Sequence, residues 1–190
     1  VLEFMLKNHP LNCPICDQGG ECELQDVSMG FSKGYSRAPE PKITMNDEDL
    51  GPLVSSEMSL CIECTRCVRF GEEISGMPEL GTTGRGGQAL IGTYLQKGLT
   101  SELSGNVIDL CPVGALVSKP HHHTGRSWEY QQHASISPHD CVGSNLYLHT
   151  INTGYKKTKV MRVLPREKST LNSVWLSNRD RFSYEALESP

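Results

Sequence analysis

Seven of the eight cysteines fall into two packets. His9, Cys13, Cys16 and Cys22 form H-x3-C-x2-C-x5-C. Cys61, Cys64 and Cys67 form C-x2-C-x2-C, with a Cys111-Pro112 pair much later in the chain. Thiolates are soft ligands that select iron–sulfur clusters or zinc. Three of them at x2 steps with a distant Cys-Pro is the pattern of a loop wrapped around a cubane four-iron cluster. Bacterial ferredoxins carry their next cysteine after three intervening residues, but Gly71 stands there, so Cys111 is expected to supply the fourth ligand. Zinc rarely uses three cysteines in two consecutive x2 steps, so a cluster is the preferred reading of this packet.

The first packet is less specific. A C-x2-C step sets two sulfurs on one turn, and Gly19-Gly20 lets backbone N–H groups approach a cluster. A His at the fourth corner replaces a thiolate by a neutral imidazole, which raises the reduction potential. A structural Cys3His zinc site satisfies the same ligand set, and the residues alone leave that alternative open.

Clustered rather than dispersed cysteines argue against a disulfide scaffold, so a reducing compartment is expected. The net charge is −4, which gives no footprint for nucleic acid. No run of eighteen apolar residues is present, so no direct membrane insertion is expected. An apolar fraction of 37% with eleven Pro and eighteen Gly makes a large core hard to build by burial alone. Bonds to a cluster would add to folding.

These ligands need elements to hold them. Residues 1–8 read as a helix ended by His9-Pro10, since the residue before proline is biased away from helical geometry. A loop over 10–21 precedes a short helix from Cys22 to about Ser28, stopping at Gly30. Residues 31–59 read as an extended connector. Cys64, Cys67, Val68, Gly71 and Ile74 fall on one helical stripe. Residues 76–87 read as a loop and 88–94 as a short strand, with another short helix after Pro112. A hairpin around Asn152-Thr153-Gly154 follows a domain boundary near residue 120.

With both packets in place, the chain resembles the large iron–sulfur subunit of NADH:quinone oxidoreductase, respiratory complex I. The resemblance rests on His9–Cys22, Cys61–Phe70, Leu80–Gly86, Ser101–Asn106, Cys111–Leu116 and Ser118-Lys119-Pro120. It implies an α+β fold of small ferredoxin-like cluster-binding domains with short helices and strands. Residues 1–40 would be a His(Cys)3-ligated 4Fe-4S domain and 41–120 a ferredoxin-like 4Fe-4S domain. Residues 121–190 would start a degenerate molybdopterin-oxidoreductase-like domain without a cluster. His9, Cys13, Cys16 and Cys22 would ligate one 4Fe-4S cluster, and Cys61, Cys64, Cys67 and Cys111 a second. A 2Fe-2S cluster would belong to a domain ahead of Val1. The implied function is electron transfer from NADH and flavin toward quinone, with no substrate chemistry on these residues. The implied partners are the flavin/NADH subunit and the quinone-side iron–sulfur subunits, and the implied place is the cytoplasmic side of a bacterial inner membrane rather than the mitochondrial matrix. The alternatives are a relay subunit of an NAD-linked hydrogenase or formate dehydrogenase, and a zinc-stabilised binding module.

Other features read more simply. His121-His122-His123 departs from the family text and reads as a solvated loop, because a metal site there would need two further ligands. Cys141, alone beyond residue 120, reads as a buried small apolar residue. Lys156, Lys157, Lys159 and Arg162 read as the wet face of the hairpin, and Arg66 and Arg69 as a solvated helix face or as charges that offset a cluster's. Gly84–Ala89 fits G-x-G-x-x-A without the strand and helix of a nucleotide fold, so nucleotide binding is not expected.

Overall fold

The computed structural model describes residues 1–154 and 158–188. Lys156 and Lys157 lie outside the described residues. Helix α1 (Leu2–Asn8) ends at His9, whose backbone turns extended ahead of Pro10. Two overlapping turns follow, closed by N–H groups of Ile15 and Cys16 on the Asn12 carbonyl. Helix α2 (Glu23–Phe31) starts immediately after Cys22 and runs through Gly30 to close on Ser32. A glycine permits a helix to stop but does not force it, and a Cβ at Gly30 would meet no neighbour.

Strand β1 (Val54–Ser56) pairs antiparallel with β4 (Leu116–Ser118). Between them lie helix α3 (Arg66–Phe70), the hairpin β2 (Leu80–Thr83) and β3 (Leu90–Thr93), and helix α4 (Asn106–Leu110). The expected loop over 76–87 therefore contains a strand. Its cross-strand partner makes Leu80-Gly81-Thr82-Thr83 extended, because a four-residue run carries too weak a period to declare itself. No helix starts at Pro112. The short helix precedes Cys111, and the segment after it becomes β4 because β1 is there to pair with it. After α3 one π-type turn spans Gly71–Ser75 and ends at Gly76 with φ +67°. That turn breaks the 3.6-residue stripe, leaving Ile74 49% exposed while Cys67, Phe70 and Gly71 are buried.

Leu50, Val54, Met58, Phe70, Leu80, Ile91, Val107 and Leu116 form the main core, with Cys67 inside it. A second core of Leu24, Leu60, Val113 and Ala115 includes Cys22 and touches Cys16, Cys61 and Cys111. Both packets are therefore held by one shared patch of apolar side chains.

A three-stranded antiparallel sheet is formed by β5 (Gln131–Ile136), β6 (Asn145–Asn152) and β7 (Thr158–Pro165), in that order. Helix α5 (Asn178–Phe182) is capped by the Ser177 side chain, which accepts from the Asp180 N–H. This part grips the rest through long-range contacts. Asn106, 1% exposed, donates its side-chain amide to the Leu176 carbonyl and accepts from the Leu176 N–H. Asn178 bonds Gly105 and Ser101, and Trp175 packs on Phe70 with ring centroids 5.0 Å apart.

Candidate metal centres

Cys61, Cys64, Cys67 and Cys111 line one cavity together with Met58, Ile91 and Val113. The loop that carries the first three turns sharply at Glu63 (φ 56°) and Thr65 (φ 58°), on either side of Cys64. Left-handed backbone is unusual for non-glycine residues, and here it lets the Glu63 N–H donate to the Cys61 sulfur at 3.4 Å. Cys67 sits on α3, and burial pushes its thiol up to about 12. Burial also raises Cys111, an effect that the backbone N–H groups of Val113, Leu116 and Ala115 oppose. Apolar walls with backbone N–H donors turned on sulfur are the environment a thiolate-ligated cluster needs.

His9, Cys13 and Cys22 line a second, more open cavity. Nδ1 of His9 is buried with no hydrogen-bond partner, and burial reinforced by the Lys42 charge lowers its pKa. A neutral imidazole without a protein partner is suited to ligation. Cys16 is set apart: its sulfur faces Gly114 rather than that cavity. Cys22 approaches the Pro112 carbonyl at 3.7 Å. The first packet thus stands directly on the turn that carries Cys111.

The spacing bears on zinc. Four thiolates about one zinc ion stand ~3.8 Å apart. Among the described residues, no three of these eight hold their ligand atoms within 4.8 Å of one another. A cubane, in which each ligand binds a different iron, accommodates the wider separation.

Three sequence expectations fail here. Cys141 is exposed, because the Asp140 side chain ties the turn around it to Gly143 and Ser144 on the surface. Arg162 is not on a wet face: its side chain is 16% exposed and makes a two-pronged pair with Glu21 at 2.7 and 2.8 Å. Nor is the triple histidine simply solvated, since His121 is 6% exposed and bonded to the Tyr130 hydroxyl. Sequence reasoning also missed Arg126, which donates to the Cys16 carbonyl at 2.6 Å, and Trp128, which covers Gly20. No local pattern marks either one. Arg66 and Arg69 are both exposed, and of the two only Arg66 borders the four-cysteine cavity.

Ligand chemistry and small, loop-rich architecture together define an iron–sulfur protein. Three family models match: the NADH-ubiquinone oxidoreductase-G iron–sulfur binding region over residues 1–37, the ferredoxin-like domain of NADH-quinone oxidoreductase subunit 3 over 51–117, and the NDSU1/NuoG-like 4Fe-4S domain over 130–185. The 75 kDa subunit of NADH-ubiquinone oxidoreductase from Reclinomonas americana is 52% identical over 99% of this chain and 26% of its own length. The mitochondrial iron–sulfur protein 1 of NADH dehydrogenase from Solanum tuberosum is 52% identical over 99% of the chain and 25% of its own length. The chain belongs to this family of large iron–sulfur subunits of NADH:quinone oxidoreductase, and spans about a quarter of the length of those relatives. A crystal structure of an NAD+-reducing [NiFe]-hydrogenase in the H2-reduced state matches with a TM-score of 0.56 at 24% identity, over 65% of this chain and 54% of that one. That likeness concerns the fold alone.

Proposed function

We propose that this chain holds two 4Fe-4S clusters and relays electrons between them. His9, Cys13, Cys16 and Cys22 ligate one, and Cys61, Cys64, Cys67 and Cys111 the other. The observation that carries this is the Cys111–Leu116 turn, which lines the four-cysteine cavity on one side and touches Cys16 and Cys22 on the other. When bound, each cluster supplies one-electron transfer without bond making at the protein. The chain itself contributes apolar walls from Met58, Ile91, Val113 and Leu116, a backbone N–H directed at the Cys61 sulfur and non-covalent contacts that bridge the two ligand sets, Gly114 against Cys16 and the Pro112 carbonyl against Cys22.

By the membership of its family, the chain works in the peripheral arm of NADH:quinone oxidoreductase. Electrons arrive from NADH through a flavin subunit and leave through quinone-side iron–sulfur subunits. A 2Fe-2S domain precedes these residues in the whole protein. Residues 1–40 and 41–120 serve as the two cluster domains, and 121–190 opens a molybdopterin-oxidoreductase-like region without a cluster. Its place is the cytoplasmic face of a bacterial membrane or the equivalent matrix face. No helix among the described residues is long and apolar enough to cross a membrane. Anaerobic reconstitution with iron and sulfide counting, followed by EPR of the reduced protein, tests the assignment. Cys64→Ser should remove one paramagnetic signal and keep the other. Loss of both together would show that the two ligand sets are not separate centres.

A further inference from the structure

We propose that Asp17, His122 and His123 form a third, mononuclear site for a divalent borderline metal ion such as zinc. Among the described residues this is the one group of at least three His, Cys, Asp or Glu side chains whose ligand atoms lie within 4.8 Å of one another. The distance from His122 to Asp17 resembles the edge of a coordination tetrahedron better than a hydrogen bond. Nε2 of His122 stands 3.5 Å from Asp17 Oδ2 and 3.2 Å from Glu57 Oε1. Four N and O ligands at ordinary zinc distances stand ~3.3 Å apart, whereas a hydrogen bond at 3.5 Å is already poor. Glu57 stands beside His122 as a hydrogen-bond partner outside the group.

The site is built rather than incidental. The Asp17 side chain is 8% exposed, and the His123 backbone N–H donates to its carboxylate at 3.0 Å. That N–H is aimed by left-handed backbone at His123, φ 58°. Nδ1 of His123 lies 3.1 Å from the Ile15 carbonyl. It is also the His123 nitrogen beside the carboxylate, 3.7 Å from Asp17 Oδ1, so as a ligand it would exchange the Ile15 carbonyl for the ion. The two rings stack with centroids 3.8 Å apart, which sets both imidazoles beside the one carboxylate of Asp17. His123 is half exposed, which leaves a way in. Paired imidazoles favour zinc, copper or nickel over magnesium or calcium, which take oxygen ligands. An ion held here would tie the turn after β4 to the loop that carries Cys13 and Cys16.

These ligands are separate from the eight assigned to iron, so the test is arranged as a difference. The iron-loaded protein and a His122→Gln/His123→Asn variant are each given zinc anaerobically, cleared of excess by gel filtration and assayed for zinc and iron. Asn is chosen at 123 because it tolerates positive φ. Zinc bound at any cysteine cancels between the two proteins. The expected difference is about one zinc per chain with equal iron, and zinc-edge absorption of the parent should report an N/O shell with imidazole. Equal zinc retention by both proteins, or a sulfur-only shell for the zinc that differs, would overturn the site.

Discussion

The sulfur of Cys16 rests against the backbone of Gly114, so closely that a Cβ at 114 would stand 2.3 Å from it. Gly114 lies three residues after Cys111, inside the turn that lines the four-cysteine cavity. One peptide segment therefore touches both candidate centres. The contact explains why glycine occupies a position that has no positive φ to require it.

Gly114→Ala tests that contact directly. The methyl group has no room unless Cys16 or the turn moves, and overpacking of this kind costs about 1–3 kcal/mol. A lower denaturant midpoint is expected, accompanied by loss of iron from the first packet, read as iron per chain. An unaltered midpoint together with full iron content would mean that the sulfur moves aside freely.

Cys141 should behave as an ordinary surface thiol, since it is exposed and remote from both packets in sequence. In the iron-loaded protein a maleimide should label it selectively, leaving the seven other cysteines protected by their ligation. Cys141→Ser should abolish that labelling, change stability by no more than about 0.5 kcal/mol and leave the iron count intact. A fall in iron would give Cys141 a ligand role.

The ligand packets were readable because coordination fixes residue type and local spacing together, and His9-Pro10 declared its own helix end. What could not be read was anything set by a partner far along the chain. Arg162 looks like one more cation in a basic run until Glu21, 141 residues away, turns it inward. Likewise Leu116–Ser118 becomes a strand because Val54–Ser56 lies beside it. The π-type turn at Gly71–Ser75 defeats a periodic reading from within, because one added residue per turn rotates everything after it. His122 and His123 lacked ligands nearby in sequence, and Asp17 reaches them only through the fold.

Asn106 joins the ferredoxin-like part to the segment leading into α5. Replacing it with Leu would leave the Leu176 N–H and carbonyl buried without their side-chain partner, and would remove an acceptor near the Arg181 guanidinium at 3.3 Å. Each unsatisfied buried backbone group costs about 1–3 kcal/mol. Denaturant unfolding should register a loss of about 2–5 kcal/mol, and amide exchange at Leu176 should accelerate. Native-like protection at Leu176 would show that another group takes over.

His149 gives the fold a dependence on pH whose sign can be worked out. Burial, with the Arg162 charge second, lowers its pKa to about 4, and Arg162 Nε donates to its Nδ1 at 3.1 Å. Glu21 and His121 also act on it, with opposite signs, and the Tyr130 ring lies 6.0 Å away. In the unfolded chain the same imidazole titrates near ~6.5. Between that value and about 4 the unfolded state binds a proton that the native state refuses, so stability falls as pH falls through this window. Above it the contribution is fully present. His149→Gln keeps an acceptor for Arg162 and removes the titration. Denaturation midpoints for parent and variant should therefore converge or cross as pH drops from neutral toward 4, with the parent declining more steeply. Parallel pH profiles for the two proteins would place the acid sensitivity elsewhere.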